Sequence, residues 1–305
     1  MSCPKCIEGF VLPGEPSGTI EQDFQGAYHA SPSSLSASET VTSNASKQRA
    51  IIFLTDGFGL PLKNCKIMAD NLANRLDCEV WVPDYFDADI QDVPPSCLGR
   101  PLVPVDDLRT PDRASKKMSI LDWVKFIVFT GIPSLPAFIH SRPSVADKRV
   151  TSVIHFPLSC KRFSLIGSKF INLLKEKKQY EKLGIVGYCF GGAATVRFAS
   201  TDLVDAAVIC HPASFPTREA EVIRVPTSWA CAEVDIFWPH SKRLQVEAIL
   251  ASKKGKETYT EYEFKDYPGT AHGFAARPNL NLPEVKDAYE QAFEQTVEWF
   301  KKTLV

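Results

Sequence analysis

No stretch of the 305 residues reaches the roughly 18 consecutive apolar side chains that a membrane span needs. The opening MSCPKCIEGF has neither the basic start nor the apolar core of a secretory signal. Both absences lead to the expectation of a cytoplasmic protein with no membrane partner. Charge of one sign is missing as well: 35 Lys and Arg stand against 36 Asp and Glu, a net charge of -1, with no long run of either. That balance excludes the basic footprint a nucleic-acid partner would need. Neither a phosphate-binding glycine loop nor a dinucleotide fingerprint occurs, so no nucleotide cofactor is implied. Cys3 and Cys6 form a CxxC, but a second pair is lacking and no metal site is read there. Nine cysteines, an odd count with irregular spacing, are read as thiols of a reducing compartment. What is present is 44% hydrophobic residues, enough for a sizeable core and a small-molecule partner.

Residues 1–49 are rich in Gly, Pro, Ser and Thr and read as a loose excursion, with room for an early hairpin. From Ala50 the texture changes. Short apolar runs of strand length, AIIFLT (50–55), EVWVP (79–83), LGIVGY (183–188), DAAVIC (205–210), PTSWAC (226–231) and YTEYEF (259–264), alternate with helical stretches at 62–76, 161–178, 191–200, 239–253 and 283–302. Such alternation predicts a single α/β domain over 1–305, a mostly parallel sheet covered by helices on both faces. A proline-rich segment, 92–156, with one apolar helical stretch at 119–129, reads as an inserted cap.

The sharpest chemical signal is Gly187-Tyr188-Cys189-Phe190-Gly191-Gly192, between a strand and the helix it opens. This is a G-x-S-x-G nucleophile elbow with cysteine in place of serine. The turn is too tight for flanking side chains, which is why glycines surround it. At the start of a helix Cys189 meets the positive end of the dipole, which favours the reactive thiolate. The remaining triad members belong after later strands in the order acid, then base. Asp235 follows PTSWAC and His272 follows YTEYEF, with Glu233 as the rival acid. The amides of Phe190 and of Gly57, in the turn after AIIFLT, are placed as the oxyanion hole.

GYCFGG, AEVD and GTAHGFAAR together resemble the dienelactone hydrolase (carboxymethylenebutenolidase) family over nearly the whole chain, and the opening MSCPKCIEGFVLPGEPSGTI with VPDYFDAD is similar to its fungal branch. The resemblance implies an α/β-hydrolase fold and hydrolysis of a lactone or ester through an acyl-enzyme on Cys189, without a cofactor. It implies that Asp56, where the family often has glutamate, helps generate the thiolate when an anionic substrate displaces it. Arg277, five residues after His272, is the candidate for the substrate carboxylate, with a surface salt bridge as the alternative. Tyr188, beside the nucleophile, is counted with the substrate-binding residues. His211, directly after DAAVIC, either borders the pocket or is a satisfied structural residue. The insertion at 92–156 departs from the compact family core, so the substrate is not inherited. Two other readings stay open: a non-hydrolytic isomerase, cyclase or lyase of secondary metabolism, and a non-catalytic ligand-binding protein.

Overall fold

The computed structural model describes residues 10–33, 49–84 and 156–304. The expected cap, apart from its last residue, and Cys3 and Cys6 lie outside them. Eight strands form one sheet: β1 (Thr19–Glu21), β2 (Ala27–Ala30), β3 (Arg49–Leu54), β4 (Glu79–Val82), β5 (Lys182–Tyr188), β6 (Ala206–Cys210), β7 (Thr227–Val234) and β8 (Tyr262–Ala271). Their order is β1-β2-β4-β3-β5-β6-β7-β8. The early hairpin is β1–β2, turning through Gln25 and Gly26, both at positive φ; it joins the sheet antiparallel to β4, and all pairs from β4 to β8 are parallel.

The helices are α1 (Lys63–Leu76), α2 (Phe156–Lys178), α3 (Phe190–Phe198), α4 (His240–Ala251) and α5 (Pro283–Thr303). None of the described helices is long and apolar enough to cross a membrane. In β3, Ile52 and Leu54 point into one core layer while Ile51 and Phe53 point into the other. That is the period-2 alternation of a strand buried on both faces, and it accounts for the unbroken apolar runs in the sequence. Phe170 of α2, Val196 of α3 and Leu250 of α4 fill the first layer; Met68 and Leu72 of α1 and Val297 and Phe300 of α5 fill the second. Each fully buried aliphatic or phenyl side chain contributes about 1.5–3 kcal/mol. The α1 residues Cys65, Met68, Ala69, Leu72, Ala73 and Leu76 recur at three- and four-residue spacing, one stripe of a helix laid on a sheet.

The last strand differs from its sequence expectation. It begins at Tyr262 rather than 259 and runs to Ala271, through Pro268 and Gly269. Being the outermost strand, β8 needs backbone pairing on one side only, so proline is tolerated. A register irregularity between Ala232 and Val234 lets β7 follow it to the Val234–Ala271 pair. Successive strands run outward from β3 in one direction and from β5 in the other, so the direction of winding reverses between them. A crevice opens beyond the carboxyl ends at such a reversal, which is where ligands bind in open α/β sheets.

Candidate active site

At the end of β5 the chain turns into α3 through Cys189, whose φ of 52° and ψ of -110° are strained for any side chain. A Cβ on Gly187 would overlap Thr195 and the Gly191 backbone, and one on Gly191 would overlap the carbonyls of Leu54 and Thr55. Backbone hydrogen bonds hold the apex: Gly191 N donates to Thr55 O at 3.1 Å, Cys189 N to Cys210 O at 3.1 Å, and Ala213 N to Cys189 O at 2.7 Å. The nucleophile elbow is thus fastened to the ends of β3 and β6, and the Asp56–Gly57 turn lies beside it.

The loops after β7 and β8 bring in the two partners. Asp235 Oδ1 accepts hydrogen bonds from the amides of Phe237 at 2.9 Å and Trp238 at 3.0 Å, which leaves Oδ2 for His272 Nδ1 at 2.7 Å. Both side chains are 1% exposed. The other ring nitrogen, Nε2, is buried and makes no hydrogen bond of regular geometry, while the Cys189 sulfur lies near enough to influence the ring. Burial alone lowers the proton affinity of His272, but Cys189 and then Asp235 outweigh it and lift the imidazole to about 10. The sign follows: stability from the charged ring is complete below the ordinary imidazole value and is lost as pH rises through about 10. Glu233, the rival acid, is exposed and turned away, accepting from Gly269 N at 2.6 Å.

Arg277 is not at the surface. Its Nε donates to Asp56 Oδ2 at 2.7 Å with the side chains 2% and 3% exposed, and its guanidinium lies 4.2 Å from the centre of the Phe58 ring. Asp56 Oδ1 also accepts from Phe58 N at 3.0 Å. Breaking a buried pair leaves an uncompensated charge, which costs about 3–5 kcal/mol. Asp56→Asn and Arg277→Leu are therefore each expected to lower the unfolding free energy by about that amount. The double variant should lose less than the sum, all read from urea denaturation midpoints.

Tyr188 and His211 are fully buried beneath this group rather than forming an open wall. Tyr188 stacks on Phe53 at 4.8 Å, and the His211 ring lies 5.1 Å from that of His272. Sequence reasoning missed Phe237, whose ring meets His272 at 4.9 Å, and Trp238, which stacks on Phe215 at 4.6 Å and anchors the Asp235 turn. The available signal was Asp235 followed by two aromatics, a turn with its own apolar anchor.

A mostly parallel sheet with a strained elbow after β5, an acid after β7 and a histidine after β8 has the arrangement of an α/β-hydrolase. The chain belongs to the dienelactone hydrolase family, whose profile matches residues 37–304, and is an ester- or lactone-directed hydrolase. Hydrolase pyvD of Aspergillus violaceofuscus is 27% identical over 299 residues, covering 98% of this chain and 96% of that one. A carboxymethylenebutenolidase homolog of Rattus norvegicus is 25% identical over 258 residues, 83% of this chain and 82% of its own. A solved dienelactone hydrolase-like promiscuous phosphotriesterase from metagenomic libraries shares the fold with a TM-score of 0.50 at 15% identity, covering 84% of this chain and 86% of that one.

Proposed function

We propose that the protein is a cysteine-dependent cytoplasmic hydrolase that opens a small lactone or ester through an acyl-enzyme on Cys189. The observation that carries this reading is the buried His272 imidazole, held at Nδ1 by Asp235 at 2.7 Å beside the strained elbow that bears Cys189. His272 takes the thiol proton, and the sulfur attacks the carbonyl carbon. The amides of Gly57 and Phe190 hold the oxyanion as it forms. When the carbon–oxygen bond breaks, the leaving oxygen takes the proton back from His272. Water, giving a proton to the same ring, then attacks the thioester and releases the acid and the thiol. These steps call for no cofactor.

The Asp56–Arg277 pair supports an anionic substrate. A substrate carboxylate that takes Arg277 releases Asp56 from it, and the freed negative charge favours the protonated form of His272 that forms as the thiol proton is taken. The substrate class is a carboxylated lactone or ester, of aromatic breakdown or secondary metabolism. Mass spectrometry of enzyme quenched during turnover of a lactone and ester panel should show the peptide containing Cys189 heavier by the acyl group. If a substrate with slow deacylation leaves that peptide unmodified, the covalent mechanism is wrong.

A further inference from the structure

In the order β5-β6-β7-β8 the catalytic ring enters from the far strand, so the His272 imidazole must pass over the ends of β7 and β6 to reach Cys189. The residue it meets at the end of β6 is His211. The two rings lie 5.1 Å apart at an interplanar angle of 69°, and Phe237 contacts His272 at 4.9 Å and 63°. The catalytic ring is thereby held in edge-to-face contact with two others.

His211 is a poor choice for packing alone. Its ring is fully buried and finds no partner of regular hydrogen-bond geometry among the described residues beyond a backbone contact within its own residue, and its φ is 33°, in the left-handed region. Poorly satisfied buried nitrogens and a strained backbone each cost stability, and such positions cluster where strain serves a mechanism. Phenylalanine would fill the same space without the buried nitrogens. An imidazole differs from it by a strong in-plane dipole. A neutral imidazole that gives its one N–H to its own backbone keeps the other nitrogen as a lone pair available to a cation.

The titratable and charged groups around the two rings are few. His272 and Arg277 stand on the β8–α5 loop, Asp56 on the β3 loop, Cys189 and Tyr188 at the end of β5, Cys210 beside His211 itself, and Asp235 after β7. Burial, followed by His272 and Arg277, keeps His211 neutral, well below the usual imidazole range.

We propose that His211 is a positioning residue, a neutral second imidazole whose dipole stabilises the charged form of His272 in the thiolate–imidazolium pair. This rests on the assignment of Cys189 and His272 made above.

The test is a pH titration of the His272 ring by nitrogen-15 NMR on the full chain. His211→Phe keeps the ring and removes the dipole, so the midpoint of His272 should fall by about one unit, a tenfold loss of proton affinity. His211→Gln, which restores a side-chain dipole without the ring, should recover part of the shift and stands in if the phenylalanine variant folds poorly. An unchanged His272 midpoint in folded His211→Phe, or in His211→Phe and His211→Gln alike, overturns the proposal, since a purely structural role moves melting temperature and not titration. Cys189→Ala is run alongside. Its own drop in the His272 midpoint reports the cysteine pair, so failure of the triad reading shows there, independently of His211.

Discussion

Cys189→Ala is expected to abolish turnover of every accepted ester or lactone, a fall on the order of 10⁴-fold or more in kcat, because loss of the nucleophile removes the covalent route. The fold at the elbow should be almost untouched. The strain at this position belongs to the backbone and the Cβ, which alanine shares, and the bonds to Cys210 O and from Ala213 N involve no side-chain atom. Removing one half-buried sulfur should leave the variant folded, its urea midpoint lower only by the part of the His272 charge stabilisation that the sulfur supplies. Cys189→Ser makes the sharper comparison: a hydroxyl is much harder to deprotonate than a thiol, so the serine variant should keep only weak activity. Steady-state rates on the same ester panel, with circular dichroism as the folding control, decide it. Full activity in the alanine variant would end the cysteine-hydrolase reading.

Asp235→Asn should be nearly as damaging, on the order of 10⁴-fold in kcat, and the geometry shows why. Oδ1 accepts from two backbone amides, so an asparagine keeps its oxygen there and turns its NH₂ toward His272 Nδ1. A ring that must accept at Nδ1 carries its proton on Nε2, the side needed to take the thiol proton. Loss of the carboxylate also removes one of the two influences that raise the imidazole, so the His272 midpoint should move down from about 10. Glu233 offers no rescue, since its carboxylate is engaged with Gly269 N. Activity within tenfold of wild type, with His272 still titrating near its original value, would remove Asp235 from the mechanism.

The elbow and the order of its partners were legible because they are local or follow chain order. A glycine-flanked cysteine between an apolar strand and a helix has few other physical explanations, and Asp235 and His272 each follow a strand in sequence. The end of β8 was not legible. Pro268 and Gly269 read as a turn, and only the edge position makes a strand there tolerable. Asp56 and Arg277 were each visible as single residues, but they are 221 positions apart, and nothing local says that they pair or that the pair is buried. The position of His211 after β6 left two readings open, a border of the pocket or a satisfied structural residue. How its ring nitrogens are used is a property of packing, which no sequence pattern encodes.

The hydrogen bonds from Gly191 to Thr55 and from Cys189 to Cys210 have a kinetic consequence. They stitch the nucleophile to the two strands flanking β5 at the middle of the sheet, the region of a domain that opens last and only with global unfolding. Local opening at the sheet's periphery therefore leaves the backbone that carries the sulfur in place. Accommodation of different substrates falls to the peripheral loops, where change leaves the reacting atom in place.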